Sequence, residues 1–146
     1  MVVAFRSGSV HEWSQIDKLR LRILLSNSAA PLILSILGMV LASTDLDPRT
    51  VWRLSSLFAF ITVVFIGGNY GTAFRRFSRE EFKTEGGNRM ASLGGGILGT
   101  AATLLQLYNV ITLQTLWPFL VAIATLLLLA ILQFILLVLA VEHERS

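Results

Sequence analysis

Four long stretches of this chain contain no Asp, Glu, Lys, Arg or His at all: about Ile23 to Ser43, Leu54 to Phe74, Met90 to Leu113 and Leu116 to Val141. A hydrocarbon layer about 30 Å thick is crossed by about 20 apolar residues in a helix, and each stretch meets that length. Lipid offers no partner for peptide N–H and C=O groups, so a spanning segment must satisfy them internally, as a helix does. The resulting fold class is all-α: a polytopic membrane protein with four transmembrane helices in an antiparallel bundle. Composition agrees. Only 14% of residues are charged and 54% are hydrophobic, against roughly 25% charged in a typical soluble domain. The polar side chains are too few to clothe a soluble surface.

Local signals set the segment boundaries. Asp47-Pro48 reads as an N-cap followed by proline in the first turn, which starts the second helix. Ser78-Arg79-Glu80-Glu81 has the spacing of a capping box and predicts a short helix ending at Gly86-Gly87. Thr115, ahead of Trp117-Pro118, marks the start of the fourth helix. Its connection to the third is so short that these two must be antiparallel neighbours. The predicted organisation is a tail over residues 1–22, then a membrane domain over 23–146 with a basic loop at 75–89. In the tail, Val10, Trp13, Ile16, Leu19 and Ile23 recur at helical spacing, with Glu12, Asp17, Lys18 and Arg22 mostly on other faces. That pattern suits an amphipathic helix lying in the membrane interface, or an extension of the first membrane helix. The first apolar stretch is too long for a signal-peptide core and is expected to remain in the mature protein.

Lys and Arg are distributed unevenly. The tail holds Arg6, Lys18, Arg20 and Arg22; the 75–89 loop holds Arg75, Arg76, Arg79, Lys83 and Arg89; the C-terminal tail holds Arg145. The opposite side holds only Arg49 and Arg53. The positive-inside rule therefore predicts both termini and the basic loop in the cytoplasm. The expected location is an integral one, in a bacterial inner membrane. The net charge of +3 does not indicate nucleic acid, because the basic residues flank apolar segments; Arg75, Arg76, Arg79, Lys83 and Arg89 are placed for anionic lipid headgroups on the inner face. Expected partners are the bilayer itself and further copies of the chain or another membrane protein.

Antiparallel threading brings polar residues to common depths. Ser26, Asn27 and Ser28 on the first helix, and Gly67 to Gly71 with Asn69 and Tyr70 on the second, fall near the inner boundary. Pro31 lacks an N–H, so the Asn27 carbonyl loses its helical donor. With Ser28, Asn69, Tyr70 and, at the other end, Asn109, it forms a candidate polar pore or kink site. Gly67 and Gly71, and Gly95 and Gly99, recur four apart, the spacing that lets membrane helices approach closely. Gln133, alone in an aliphatic helix, is expected to bond a neighbouring helix.

Catalytic chemistry has little to draw on. The chain has no cysteine, which removes disulfides and thiolate sites. No Asp, Glu, Lys, Arg or His falls within the four segments, so proton relays and coupling-ion carboxylates have no carriers. His11 and His143 lie in the tails, and no metal or cofactor site is expected. The expected function is that of a non-catalytic subunit or scaffold packing in a membrane assembly; the alternative is a small homo-oligomeric channel.

Overall fold

Helix starts and stops follow from side chains that satisfy the free backbone groups at helix ends. In the computed structural model, which describes residues 14–76 and 89–145, α1 (Gln15–Ala42) begins where Ser14 Oγ accepts a hydrogen bond from the Asp17 N–H at 3.1 Å. It ends where the Ser43 and Thr44 hydroxyls fold back on the Val40 and Leu41 carbonyls, at 2.7 and 2.6 Å. Asp47 Oδ2 then accepts from the Arg49 N–H at 3.1 Å, and Pro48 opens α2 (Pro48–Arg75), as the sequence predicted. α3 (Arg89–Tyr108) runs on into a single π turn, Asn109–Leu113, which Gln114 closes in the left-handed region at φ 51°. α4 (Leu116–Arg145) follows after two residues.

α1, α2 and α4 are each longer than the apolar stretch they contain, whereas the third stretch is spanned by α3 together with its π turn. α1 has 28 residues, which is about 42 Å at 1.5 Å per residue, so its ends exceed the hydrocarbon thickness. The first turns of α1 are continuous with the membrane stretch: the helix passes through Ile23 without a break from Gln15 onward. Asp17 does not face away from the interior there; it is buried, as are Ile16, Arg20 and Ile23, and an Arg20 nitrogen lies 3.6 Å from its Oδ1. Trp13, the remainder of the tail and the capping box at residues 78–81 lie outside the described residues.

The helices pack as a ring in which α1 touches α2, α2 touches α3, α3 touches α4 and α4 returns to α1, the most extensive contact. α2 also meets α4 across the middle. Sequential neighbours run antiparallel. Ser26 on α1 meets Tyr70 on α2, Ser56 on α2 meets Asn109, and Gln106 on α3 meets Pro118 on α4. The bundle therefore has a loop end, where residues 43–47 and 114–115 connect helices, and a basic end, carrying Lys18, Arg22, Arg75 and Arg76.

The apolar core lies between three of the four helices. Ala30 and Leu34 of α1, Ala59 and Val63 of α2, and Phe119, Ala122 and Leu126 of α4 form it, with Trp52, Ile66 and Ile123 packed around. The α1 members lie on a stripe running Ile23, Asn27, Ala30, Leu34, Gly38, the three- and four-residue spacing of one helix face. Gly38 makes room for the Phe119 ring: a Cβ there would stand 2.9 Å from Phe119 Cε1, and the ring would have to shift. α3 contributes nothing to this cluster. Most large apolar side chains, including Leu32, Ile33, Phe65, Ile97, Leu104 and Ile111, face outward and are exposed. In water that surface would aggregate; in a bilayer it is the surface lipid chains cover.

Candidate functional site

The polar groups of the bundle fall into two layers, one at each end. At the loop end the organising residue is Asn109, fully buried in the π turn. Its Nδ2 donates to Ser56 Oγ at 2.6 Å and to the Thr115 carbonyl at 2.9 Å, while its Oδ1 accepts from the Thr115 N–H at 3.0 Å. The carboxamide thus pairs with both backbone groups of Thr115 as another peptide would, and ties the α3–α4 turn to α2. One turn earlier, Gln106 Nε2 donates to the Pro118 carbonyl at 2.6 Å. Ser55, Ser56, Gln106 and Asn109 are all 0% exposed, and Ser55 Oγ and Gln106 Oε1 have no hydrogen-bond partner. These bonds, with the buried Ala102, hold α3, which lies outside the main apolar cluster, against the other helices.

At the basic end the Tyr70 hydroxyl donates to the Arg22 carbonyl at 3.2 Å. Its single proton is thereby used, so the 2.7 Å contact with Ser26 is donated by the serine. Ser28 Oγ donates to the Leu24 carbonyl of its own helix at 2.8 Å. Asn27 is 2% exposed and its Oδ1 has no partner. Pro31 is buried in the same helix. Asn69 points away from this group and is exposed.

The residues expected to line one passage are therefore not brought together. Asn27, Ser28 and Tyr70 lie at the basic end, Asn69 on the outside, and Asn109 at the loop end. Ser56 and Tyr70, which mark the two layers on α2, are about 21 Å apart along the helix axis at 1.5 Å per residue. The apolar core fills the interval. A polar lining continuous through one chain fails for this reason: depth along the helices was right, but rotation about the helix axes turned Asn69 outward.

The glycine pairs also diverge from a close contact within the chain. A Cβ at Gly95 would meet Leu129 Cδ2 at 3.3 Å, but Cβ atoms at Gly67, Gly71 and Gly99 would meet nothing within 4 Å. Gly67 and Gly71 are exposed and Gly99 is half-buried. The glycine that α-helix packing does demand is Gly38, whose only sequence signal was its isolation in the first apolar stretch. Gln133 departs from expectation as well, since its Oε1 is buried without a partner. Arg75 and Arg76 are exposed at the end of α2; Arg79 and Lys83 lie outside the described residues, and Arg89 begins α3. Among the described residues no group of three His, Cys, Asp or Glu could hold a metal ion.

These features define a class: an all-helical protein with four helices long and apolar enough to cross a membrane. No protein-family model matches the chain, and comparison with curated proteins and with solved structures gives no match either.

Proposed function

We propose that the chain is a non-catalytic membrane subunit that packs against another copy or another membrane protein through the exposed glycine face of α2 and α3. In this reading both termini and the 75–89 loop lie in the cytoplasm, with Arg75, Arg76, Arg79, Lys83 and Arg89 against anionic headgroups of a bacterial inner membrane. One observation carries it: a Cβ placed on Gly67, Gly68, Gly71, Gly94, Gly96 or Gly99 would meet no atom of another helix within 4 Å. Bare helix backbone exposed in this way gains dispersion contact when a second helix approaches, and lipid chains pack against it less well. The buried amides Gln106 and Asn109, by contrast, are engaged in holding the chain's own helices.

Purification in mild detergent, followed by mass measurement of the protein particle, tests this reading. An assembly larger than one chain that dissociates on Gly71→Leu or Gly99→Leu is the expected result. A monomer in detergent that also gives no cross-linked product in native membranes sinks it. The channel alternative draws on one observation, the unpartnered oxygen of Asn27; ion-selective flux through liposomes that Asn27→Leu abolishes would establish it instead.

A further inference from the structure

Two amide oxygens at the basic end are buried and have no donor: Asn27 Oδ1 on α1 and Gln133 Oε1 on α4. α1 and α4 share the most extensive helix contact in the bundle. Both residues continue the core-facing stripes of their helices. Asn27 stands one turn from Ala30 and two from Leu34, and Gln133 stands two turns from Leu126 and one from Ala130, whose positions line the same interior. The register agrees. Leu24 and Ser28 share a groove with Leu127, Ala130, Ile131 and Phe134, which in this antiparallel pair sets residues 27 and 133 within about three to four positions of one depth, or about 5 Å. The two side chains narrow that gap, because each leans toward the N-terminus of its own helix. A third acceptor lies beside them, because Pro31 offers no N–H to the Asn27 carbonyl. The Ser28 hydroxyl, the nearest donor in sequence, is committed to the Leu24 carbonyl.

A buried carbonyl without a donor is costly, and native structures resolve such sites with a protein donor or an ordered water. We infer that one internal water bridges Asn27 Oδ1 and Gln133 Oε1, closing the basic end of the apolar core. Its two hydrogens match the two unpartnered oxygens. The polar surroundings suit a water, which needs two to four such partners. A bare cation does not suit the position. The nearest carboxylates along these helices, Asp17 and Glu142, lie ten and nine positions away, about 15 and 13 Å, and an uncompensated charge in low dielectric is far more costly than a neutral guest. The water explains why two amides persist on an apolar stripe.

The full chain purified in detergent or nanodiscs tests this. In a map that resolves waters elsewhere in the bundle, a peak within hydrogen-bond distance of both oxygens is expected; its absence, or a direct Asn27–Gln133 bond, overturns the inference. Thermal unfolding of Asn27→Leu, Gln133→Leu and the double variant gives an independent reading. Each single change should lower Tm by several degrees and the double change by no more than the larger single, because one water serves both. Additive losses overturn the bridge. Wild-type Tm should be equal in sodium, potassium and choline chloride; a cation-specific rise that Asn27→Leu abolishes would replace the water with an ion.

Discussion

Asn109→Ala should destabilise the protein more than any other single polar change at the loop end. The substitution removes the donor to Ser56 Oγ at 2.6 Å, the donor to the Thr115 carbonyl at 2.9 Å and the acceptor for the Thr115 N–H at 3.0 Å. Interhelical hydrogen bonds in membranes contribute about 0.6 kcal/mol on average and up to about 1.7. The Ser56 bond belongs at the upper end, because both residues are fully buried. Thr115 is exposed, so water or headgroups recover part of its loss, and its two bonds together contribute about 1 kcal/mol. The cavity left by the amide adds to this, giving a loss of roughly 2–4 kcal/mol. Equilibrium unfolding in mixed micelles, with helicity and tryptophan emission followed together, measures it. Ser56→Ala should cost about 1 kcal/mol, and the double variant should show a coupling of about 1 kcal/mol with Asn109→Ala. A loss below about 0.5 kcal/mol for Asn109→Ala, or strict additivity with Ser56→Ala, would refute the claim that this amide fastens α3.

Other positions separate packing from exposure. Gly38→Ala puts a Cβ 2.9 Å from the Phe119 ring and should cost about 1–3 kcal/mol by overpacking, with Phe119→Leu relieving part of it; unfolding of the pair shows whether the clash is local. Gly67→Ala has open space around its Cβ and should leave the monomer unchanged or stabilise it by about 0.5–1 kcal/mol through helix propensity; a large loss measured on dissociated chains would contradict the exposed placement. Tyr70→Phe removes the bonds to Ser26 and the Arg22 carbonyl and should lower stability by about 0.5–1.5 kcal/mol, with no change in helix content by circular dichroism. Topology follows from single cysteines and an impermeant thiol reagent in intact cells: Thr44→Cys should label and Ser146→Cys should not, and the reverse pattern would invert the proposed orientation.

What the sequence determined by itself was whatever depends on one helix at a time. Absence of charge over some twenty residues specifies the four spans, because the cost of burying a charge in lipid does not depend on the neighbouring helix. Asp47-Pro48 specified the start of α2, because capping is a contact between a side chain and its own backbone. Even the common depth of Ser26 and Tyr70 was legible, since rise per residue converts sequence position to depth. Rotation about each helix axis was another matter. The amphipathic pattern that reveals a buried face in a soluble helix is erased when both lipid and core are apolar. Asn69 and Asn27 have the same chemistry at similar depths, yet one is exposed and the other buried. Gly71 and Gly38 are alike in sequence terms, yet only Gly38 receives a ring against its backbone. The tertiary structure alone decided which polar groups meet, because a hydrogen bond such as Asn109 to Ser56 joins residues 53 positions apart, and its existence depends on the packing of three helices at once.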